Sequence, residues 1–373
     1  MTAEKQPPGS APTIVAAPRL AYQPKNPTGK CPQIGLIGCG NITQWHLKAY
    51  RAAGFHVAAL CDIDRSQAEQ RRNEFFPNAK VLDFAELLSQ DNISVVDIAT
   101  HTATRPPLIE AALSLGKHVL SQKPFVEDLA EGKRLASLAE EAGRFLAVNQ
   151  NGRWAPHWSY LHEAVKTGLL GELSAIHCEV HWNHDCLSGT EFEKMHHLIL
   201  YDFAIHWFDI LCCLMGEREP LRVYASLTRS RNQTISPPLL AQVTVEYEGA
   251  QASLVFDGNT STGPWETTFV AGQQGTIRCQ GHDLQSQELV MTTEKGISQP
   301  ALTGTWFPDG FHGTMGELLC AIETGQPPTH SARNNLKSLA LCFAAVASAE
   351  TGKPVTPGSV ESLKEATDQT PFK

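Results

Sequence analysis

The sequence predicts an α/β unit followed by an α+β unit: a doubly wound parallel sheet first, then a domain built on an open-faced antiparallel sheet. Three observations carry this. At 373 residues the chain exceeds what a single core usually supports, and 42% hydrophobic with 18% charged residues is globular composition. From residue 33 to 149, apolar runs (IGLIG, VAAL, VVDIAT, HVLS, FLAV) alternate with helical stretches, the pattern of βαβ units whose sheet is covered on both faces. Further on, LRVYASLT, AQVTVEYEG, AQASLVFDG, WETTFVAG and TIRCQG alternate apolar with polar residues between glycine-bearing turns, as an antiparallel sheet with one packed face requires.

In chain order, residues 1–30 are proline-rich and aperiodic, which predicts a flexible N-terminal arm able to dock later. Residues 31–150 form the first domain. Residues 151–356 form the second, a substrate-binding and oligomerisation domain, and 357–373 a C-terminal tail. The second domain opens with a helix (RWAPHWSYLHEAVKTG) and a strand (ELSAIHCEVHW). A helix over YDFAIHWFDI, continuing into LCCLMG, comes next, and then the alternating sheet. Two helices close the chain, over 315–324 and 335–351, the last placed to pack back on the first domain.

A net charge of −9 leaves no basic footprint for nucleic acid, and no Lys/Arg run suits an anionic membrane. No uninterrupted apolar stretch is long enough to span a bilayer, and no charged n-region precedes an apolar run. The ten cysteines lie within apolar segments and form no Cys-x-x-Cys pair, so they read as free thiols in a reducing compartment. The expectation is a cytoplasmic protein with a small-molecule partner, no nucleic acid and no membrane.

The stretch GLIGCGNITQWHLKAY places Gly38-x-Gly40-x-x-Thr43 between a strand and a helix, the one context that gives a glycine-rich loop meaning. Gly38 would permit the tight turn, and Gly40 would let a pyrophosphate approach the backbone at the positive end of the helix dipole. Thr43 stands where the fingerprint has its third glycine. The second strand ends in Asp62, about twenty residues past the loop, where a carboxylate would accept hydrogen bonds from an adenosine ribose. An acid there favours NAD over NADP, although Arg65 could stack on adenine or bind the extra phosphate. Alternatively, Asp62 merely caps the helix that starts near Arg65. Asn41, Ile42, Thr100, Gln122 and Lys123 complete the expected cofactor-binding set.

The fifth strand runs into GKHVLSQKPF, which sets Lys123 at the carboxyl end of a parallel strand, the edge where open α/β sheets bind ligands. Pro124 fixes the backbone beside it, through a cis or a trans bond. Alone, Lys123 reads equally as a solvated strand-end lysine. On a helix over YDFAIHWFDI, Asp202, His206 and Asp209 fall at i, i+4 and i+7, so an apolar segment carries a polar stripe on one face. A helix-stabilising pair of Asp202 and His206 would need no active site, and Asp209 reads as a cap or a structural pairing residue.

Taken together, GLIGCGNITQWHL, VAALCDID, GKHVLSQKP, the Arg-Trp-x-Pro after the sixth strand, the DFAIHWFD helix and NNLKSLALCFAAVASAETGKPV resemble the Gfo/Idh/MocA family, named for glucose-fructose oxidoreductase and inositol dehydrogenase. The likeness spans 33–356. It implies a Rossmann domain joined to an open-faced sheet, a nicotinamide nucleotide, and oxidation of secondary alcohols of sugars, glycosides or cyclic polyols. By position, the family's Glu-Lys-Pro lysine is Lys123 and its Asp-x-x-x-His pair is Asp202 and His206, with Gln122 replacing the usual glutamate. His206 would be the general base or acid. Lys123 would hold the reacting oxygen, and Asp202 would orient either the hydroxyl or the imidazole. A second reading keeps the hydride transfer but recycles a bound NAD during elimination or hydrolysis of a glycoside, and a third is a nucleotide sensor without turnover. The open sheet face suggests a homodimer or tetramer.

His177, His181, His184, His196 and His197 crowd one region, but strand parity and spacing argue against a metal site. The expected substrate-binding residues are Arg153, Trp154, His181, His184 and Trp306, with Trp182 beside them. Phe307 and His312 share with Trp306 a Gly- and Pro-rich loop, TGTWFPDGFHG, that could close over the pocket.

Overall fold

The computed structural model describes residues 13–195 and 197–363, so His196 of the histidine-rich stretch lies outside the described residues. The first sheet contains β1 (Gln33–Ile37), β2 (Val57–Cys61), β3 (Lys80–Val81), β4 (Ile93–Ile98), β5 (His118–Ser121) and β6 (Leu146–Val148), in the order β3-β2-β1-β4-β5-β6 with every pair parallel. Ile34, Leu36, Val95, Val96, Val119 and Leu120 are fully buried. These runs are apolar throughout because helices cover both faces. The crossover helices are α1 (Thr43–Ala53), α2 (Arg65–Phe75), α3 (Phe84–Leu88), α4 (Arg105–Ser114) and α5 (Leu129–Glu141). The strand order reverses between β1 and β4, which opens a crevice at their carboxyl ends.

The second unit begins with α6 (Pro156–Lys166) and β7 (Leu173–His181), followed by α7 (Ile205–Met215). Its sheet continues with β8 (Pro220–Thr228), β9 (Leu240–Tyr247), β10 (Ala250–Asp257), β11 (Trp265–Gly272), β12 (Gly275–Gly281), β13 (Glu288–Thr293) and β14 (Gly296–Ser298), ordered β14-β13-β12-β11-β7-β10-β9-β8. The sheet is antiparallel except at its centre, where β7 and β10 run parallel. One face, with Cys178, Val180, Leu254, Phe256, Thr268 and Val270, is buried under the helices; the other carries the alternate residues of each strand.

Two helices close the described chain, α8 (Trp306–Thr324) and α9 (Ala332–Thr351). The expected loop around Trp306 is instead the start of α8, kinked at Phe307. Its glycines mark close approach, not a turn. A Cβ on Gly313 would fall 2.0 Å from the Trp154 side chain, and one on Gly316 would fall 2.3 Å from the Lys25 carbonyl. Helix α9 touches both units: Arg333 pairs with Glu140 of α5 at 2.8 Å, and the amide of Ala225 in β8 donates to Ser348 Oγ at 2.9 Å.

Residues 13–30 of the arm lie along the body. Val15 N donates to the Ile297 carbonyl (2.8 Å), the Tyr160 hydroxyl to the Pro18 carbonyl (2.8 Å), and the amide of Thr28 to the Glu323 carboxylate (3.1 Å). The arm therefore runs from the β14 edge across α6 to α8.

Candidate active site

The glycine-rich loop leaves β1 at Gly38, whose φ of 91° is left-handed and whose Cβ, if it had one, would lie 2.8 Å from the Ala99 carbonyl. Only glycine fits there. Gly40 differs: its φ is ordinary, and an added Cβ would meet no protein atom within 4 Å. Nothing in the chain demands glycine at this position except the open space beside the loop, at the end of α1 where backbone amides attract anions. Thr43 is buried, and its hydroxyl donates to the Gly40 carbonyl at 2.7 Å, so the side chain that replaces the third glycine closes the loop from inside. Asn41 Oδ1 accepts from Gln44 at 2.6 Å, and Ile42 is half-buried. Thr100 lies on the loop floor, its methyl 3.1 Å from where a Gly38 Cβ would be.

Asp62 braces this loop. One carboxylate oxygen accepts the Cys39 amide at 2.6 Å and the other accepts the Asp64 amide at 2.8 Å. Asp64, not Asp62, caps α2 by accepting from the Ser66 amide, and Arg65 is occupied by Glu69 at 3.2 Å and the Val81 carbonyl at 3.3 Å. The open space at Gly40 and the carboxylate at the end of β2 suit a dinucleotide, and the anionic Asp62 disfavours a 2′-phosphate.

Lys123 follows β5 at the same sheet edge, with a cis bond to Pro124. Its Nζ donates to Asp202 Oδ1 at 3.0 Å and to the Asp202 carbonyl at 2.8 Å. That carbonyl is available because Asp202 lies in a π turn, Ile199–Phe203, closed by the Ala204 amide on the Ile199 carbonyl at 2.9 Å. The single helix expected over 201–210 is therefore two pieces, with α7 starting only at Ile205. The extra residue of a π turn shifts the ladder and frees main-chain carbonyls, a feature frequent at functional sites.

His206 sits in the first turn of α7, nearly sealed at 6% exposure. Its Nδ1 is buried with no partner, next to Gly152, where a Cβ would fall 3.7 Å from it. The Trp306 ring meets the imidazole edge-on at 5.2 Å. Burial, and secondarily the charge of Lys123, holds the imidazole well below its ordinary 6.5, so it is neutral. His184 is the other imidazole beside this pair. It packs edge-on against Phe203 at 3.9 Å, and burial pushes it down to about 4, with Lys123 lowering it further and Asp202 opposing.

Other expected contacts lie elsewhere. Arg153 makes a bidentate pair with Asp209 at 2.6 and 2.7 Å, Ser338 Oγ adds a bond to Asp209 at 2.8 Å, and Arg153 also donates to the Thr329 carbonyl at 2.8 Å. Its guanidinium is thus committed inside the protein, as the pairing role expected of Asp209 implies. Trp154 packs against Gly313 and the His330 ring at 5.1 Å. Trp306 is buried with its Nε1 on Asn151 Oδ1 at 2.7 Å, forming the wall behind His206. Phe307 packs tilted against Trp45 and edge-on against Phe311, and His312 bonds Asn26 of the arm at 2.6 Å. His181 turns to the outer sheet face, in register with Trp265 and Asp257, because it has the parity opposite to the buried Val180. His177 shares that outer face and bonds Ser253 at 2.7 Å, while Trp182 is half-buried at the end of β7. Among the described residues no group of three or more His, Cys, Asp or Glu could hold a metal ion, and no helix is long and apolar enough to cross a membrane.

Sequence reasoning missed Arg105 and His46, both buried behind Lys123. An arginine opening a helix before two prolines carries no sign of turning inward, and a histidine on α1 reads as ordinary helix surface.

The chain matches two models of one family. Residues 33–150 match "Oxidoreductase family, NAD-binding Rossmann fold" and 158–278 match "GFO/IDH/MocA C-terminal domain". Among curated proteins it is similar to a D-apiose dehydrogenase from Paraburkholderia graminis, 28% identical with 90% of this chain and 92% of the relative covered. It is also similar to an inositol 2-dehydrogenase from Rhizobium meliloti, 25% identical over 85% and 96%. Among solved structures, an oxidoreductase from Agrobacterium radiobacter in complex with NAD+, L-tartaric acid and magnesium superposes with a TM-score of 0.79 at 25% identity, covering 88% of this chain and 99% of that one. With the glycine loop at Gly38 and Gly40 and the open-faced sheet behind α7, these matches place the chain in the GFO/IDH/MocA family of NAD-binding oxidoreductases.

Proposed function

We propose that the protein oxidises a secondary alcohol of a sugar or cyclic polyol, with NAD as hydride acceptor. The observation that carries this reading is the Lys123–Asp202 pair beside the neutral His206, at the sheet edge that also holds the open loop. The D-apiose and inositol dehydrogenases among its relatives narrow the substrate to carbohydrates and polyols.

Gly38, Gly40, Asn41, Ile42, Thr43, Asp62 and Thr100 would hold the nucleotide, the loop taking the pyrophosphate and Asp62 the ribose. NAD supplies the hydride acceptor when bound. On this chain, the Lys123 ammonium donates to the substrate oxygen and favours the charge that develops there as the C–H bond breaks. Asp202 aims the ammonium from Oδ1 and from its own carbonyl. With Nδ1 of His206 sealed, Nε2 is the nitrogen left to face the cleft, and it takes the hydroxyl proton as the carbonyl forms. A base held below its ordinary range accepts a proton less readily, so the transfer depends on the Lys123 ammonium acidifying the hydroxyl at the same time. His184 borders the same pocket and offers a second polar edge to the substrate.

We also assign the outer face of the second sheet, where Trp265, Phe269 and Val255 are partly buried and Tyr224 is 50% exposed, as a contact between copies of this chain. The ten cysteines, all free, fit a reducing compartment such as the cytoplasm. The test of function is incubation with NAD and a panel containing D-apiose, myo-inositol and common pyranosides, reading reduced nucleotide and product mass together. Reduced nucleotide in excess of enzyme supports the reading. Product without it would favour recycling of the cofactor, and neither signal with any member would overturn the substrate class.

A further inference from the structure

The backbone that carries Lys123 is held by groups that never reach the cleft. Arg105, the first residue of α4, is 2% exposed, and none of the ion pairs among the described residues includes it. Its Nη1 donates to the carbonyls of Gln122 and Pro124, and its Nη2 to Thr102 Oγ1 at 2.6 Å and to the Lys123 carbonyl at 3.4 Å. Burial lowers the guanidinium to about 10, so it remains charged at neutral pH. Asp202 and Glu127 oppose that shift from a distance, and a buried cation with no carboxylate in direct contact is tolerated only where oriented dipoles replace water. Here three successive carbonyls do so, and a planar fork can serve them where a single ammonium cannot.

On the other side, Gln122 Oε1 accepts the Lys123 amide at 2.8 Å, which turns the Gln122 amide nitrogen toward His46 Nε2 at 3.2 Å. Asn149 Nδ2 approaches the same ring nitrogen at 3.3 Å. Both neighbours are donors, so Nε2 holds the lone pair and Nδ1 the proton, which goes to Asp97 Oδ2 at 2.7 Å. The Tyr50 hydroxyl donates to that oxygen as well, at 2.7 Å. A glutamate at 122 would set a carboxylate oxygen against the imidazole lone pair. The chain of contacts thus accounts for glutamine in this position.

We propose that Arg105 and the Asp97–His46–Gln122 chain are positioning residues for Lys123: from opposite sides they fix residues 122–124 so that the lysine reaches Asp202 and the reacting oxygen. The inference rests on the reading of Lys123 as the group that polarises the substrate. Neither Arg105 nor His46 touches substrate or nucleotide; they act through the main chain and through Gln122.

The experiment compares Arg105→Met, Arg105→Lys, His46→Leu and Gln122→Glu with the wild-type protein. Three quantities are read: hydrogen exchange of the Lys123 amide, NAD affinity by calorimetry, and kcat on the panel substrate. A displacement of about an ångström at a reacting group lowers turnover on the order of 100-fold. Arg105→Met and Gln122→Glu should reach that loss, and Arg105→Lys, which keeps the charge but not the fork, about tenfold. Exchange of the Lys123 amide should rise at least about tenfold in each, while the Kd for NAD stays within about threefold in the Arg105 and His46 variants and the melting temperature of Arg105→Lys is unchanged. General structural damage would instead weaken NAD binding and lower Tm with kcat. Folded variants with wild-type exchange at Lys123, or with kcat within twofold, overturn the proposal. If the wild-type enzyme reduces no NAD on the panel, the functional reading fails, and the exchange of the Lys123 amide alone decides the positioning.

Discussion

Glu266 gives a stability prediction whose size follows from its surroundings. It is fully buried in β11, on the sheet face under the helices, and accepts from Trp207 Nε1 at 3.2 Å and from Gln287 Nε2. Burial raises the carboxyl from its ordinary 4.5 to about 8, against the two hydrogen bonds that lower it. Because the folded value lies above the unfolded one, the folded state keeps its proton through the window in which the unfolded chain ionises. The contribution is whole below pH 4.5 and is lost as pH rises from 4.5 toward 8. At about 1.4 kcal/mol per unit, the loss by pH 7 is roughly 3 kcal/mol. Glu266→Gln should remove the slope. The amide can accept from Trp207, and Gln287, whose Oε1 is buried without a partner, can rotate to accept the new N–H. Urea denaturation at several pH values between 5 and 8.5, followed by tryptophan fluorescence, is the assay, since Trp207 contacts both Glu266 and the Trp158–Trp306 wall behind His206. The variant should gain about 3 kcal/mol on the wild type at pH 7 and no more than about 1 kcal/mol near pH 5. A difference that is constant with pH would refute the reasoning and mean that Glu266 is ionised in the fold.

The other predictions follow the site. Gly40→Val should weaken NAD binding more than about tenfold with Tm unchanged, because the added side chain enters space that no protein atom occupies; calorimetric titration reads this, and unchanged affinity would remove the loop from the nucleotide site. Lys123→Met should lower kcat by about 10²–10³ while NAD affinity holds, as measured by steady-state kinetics alongside calorimetry. Since His206 is held well below 6.5, the acid limb of kcat/KM should fall below that value, and a limb centred at 6.5 would assign the proton transfer to a more exposed group. Arg153→Met leaves the Asp209 carboxylate buried without its partner and should cost about 3–5 kcal/mol in denaturation.

Much of this architecture was legible because it rests on local rules. Continuous apolar strands, the Gly38–Gly40 loop between strand and helix, and Asp62 at the next strand end specify a parallel sheet and the edge where the loop opens through sequence spacing alone. Lys123 was legible for the same reason, since a strand end fixes where a side chain emerges. Legibility failed where tertiary contact overrides local pattern. The glycines of TWFPDGFHG read as a loop, yet Gly310 and Gly313 let α8 press onto Asn151 and Trp154. A regular helix was the natural reading of YDFAIHWFDI, and no residue type announces the π turn that exposes the Asp202 carbonyl. His181 reads as a pocket residue because its strand leads from the first domain into the second, but strand parity carries it to the outer face. Arg153 and Arg105 look alike as arginines in sequence; only packing shows that one meets a carboxylate and the other a row of carbonyls.

The most direct measurement of the central claim is multiple-turnover formation of reduced nucleotide from NAD and a polyol or sugar, by the wild-type protein and by Lys123→Met and His206→Asn in parallel. The account predicts reduced nucleotide well beyond the enzyme concentration for the wild type, and a loss of at least about 100-fold in each variant with NAD still bound. Turnover that persists in both variants would contradict it, because the hydride transfer would then proceed without the two groups proposed to act at the reacting oxygen.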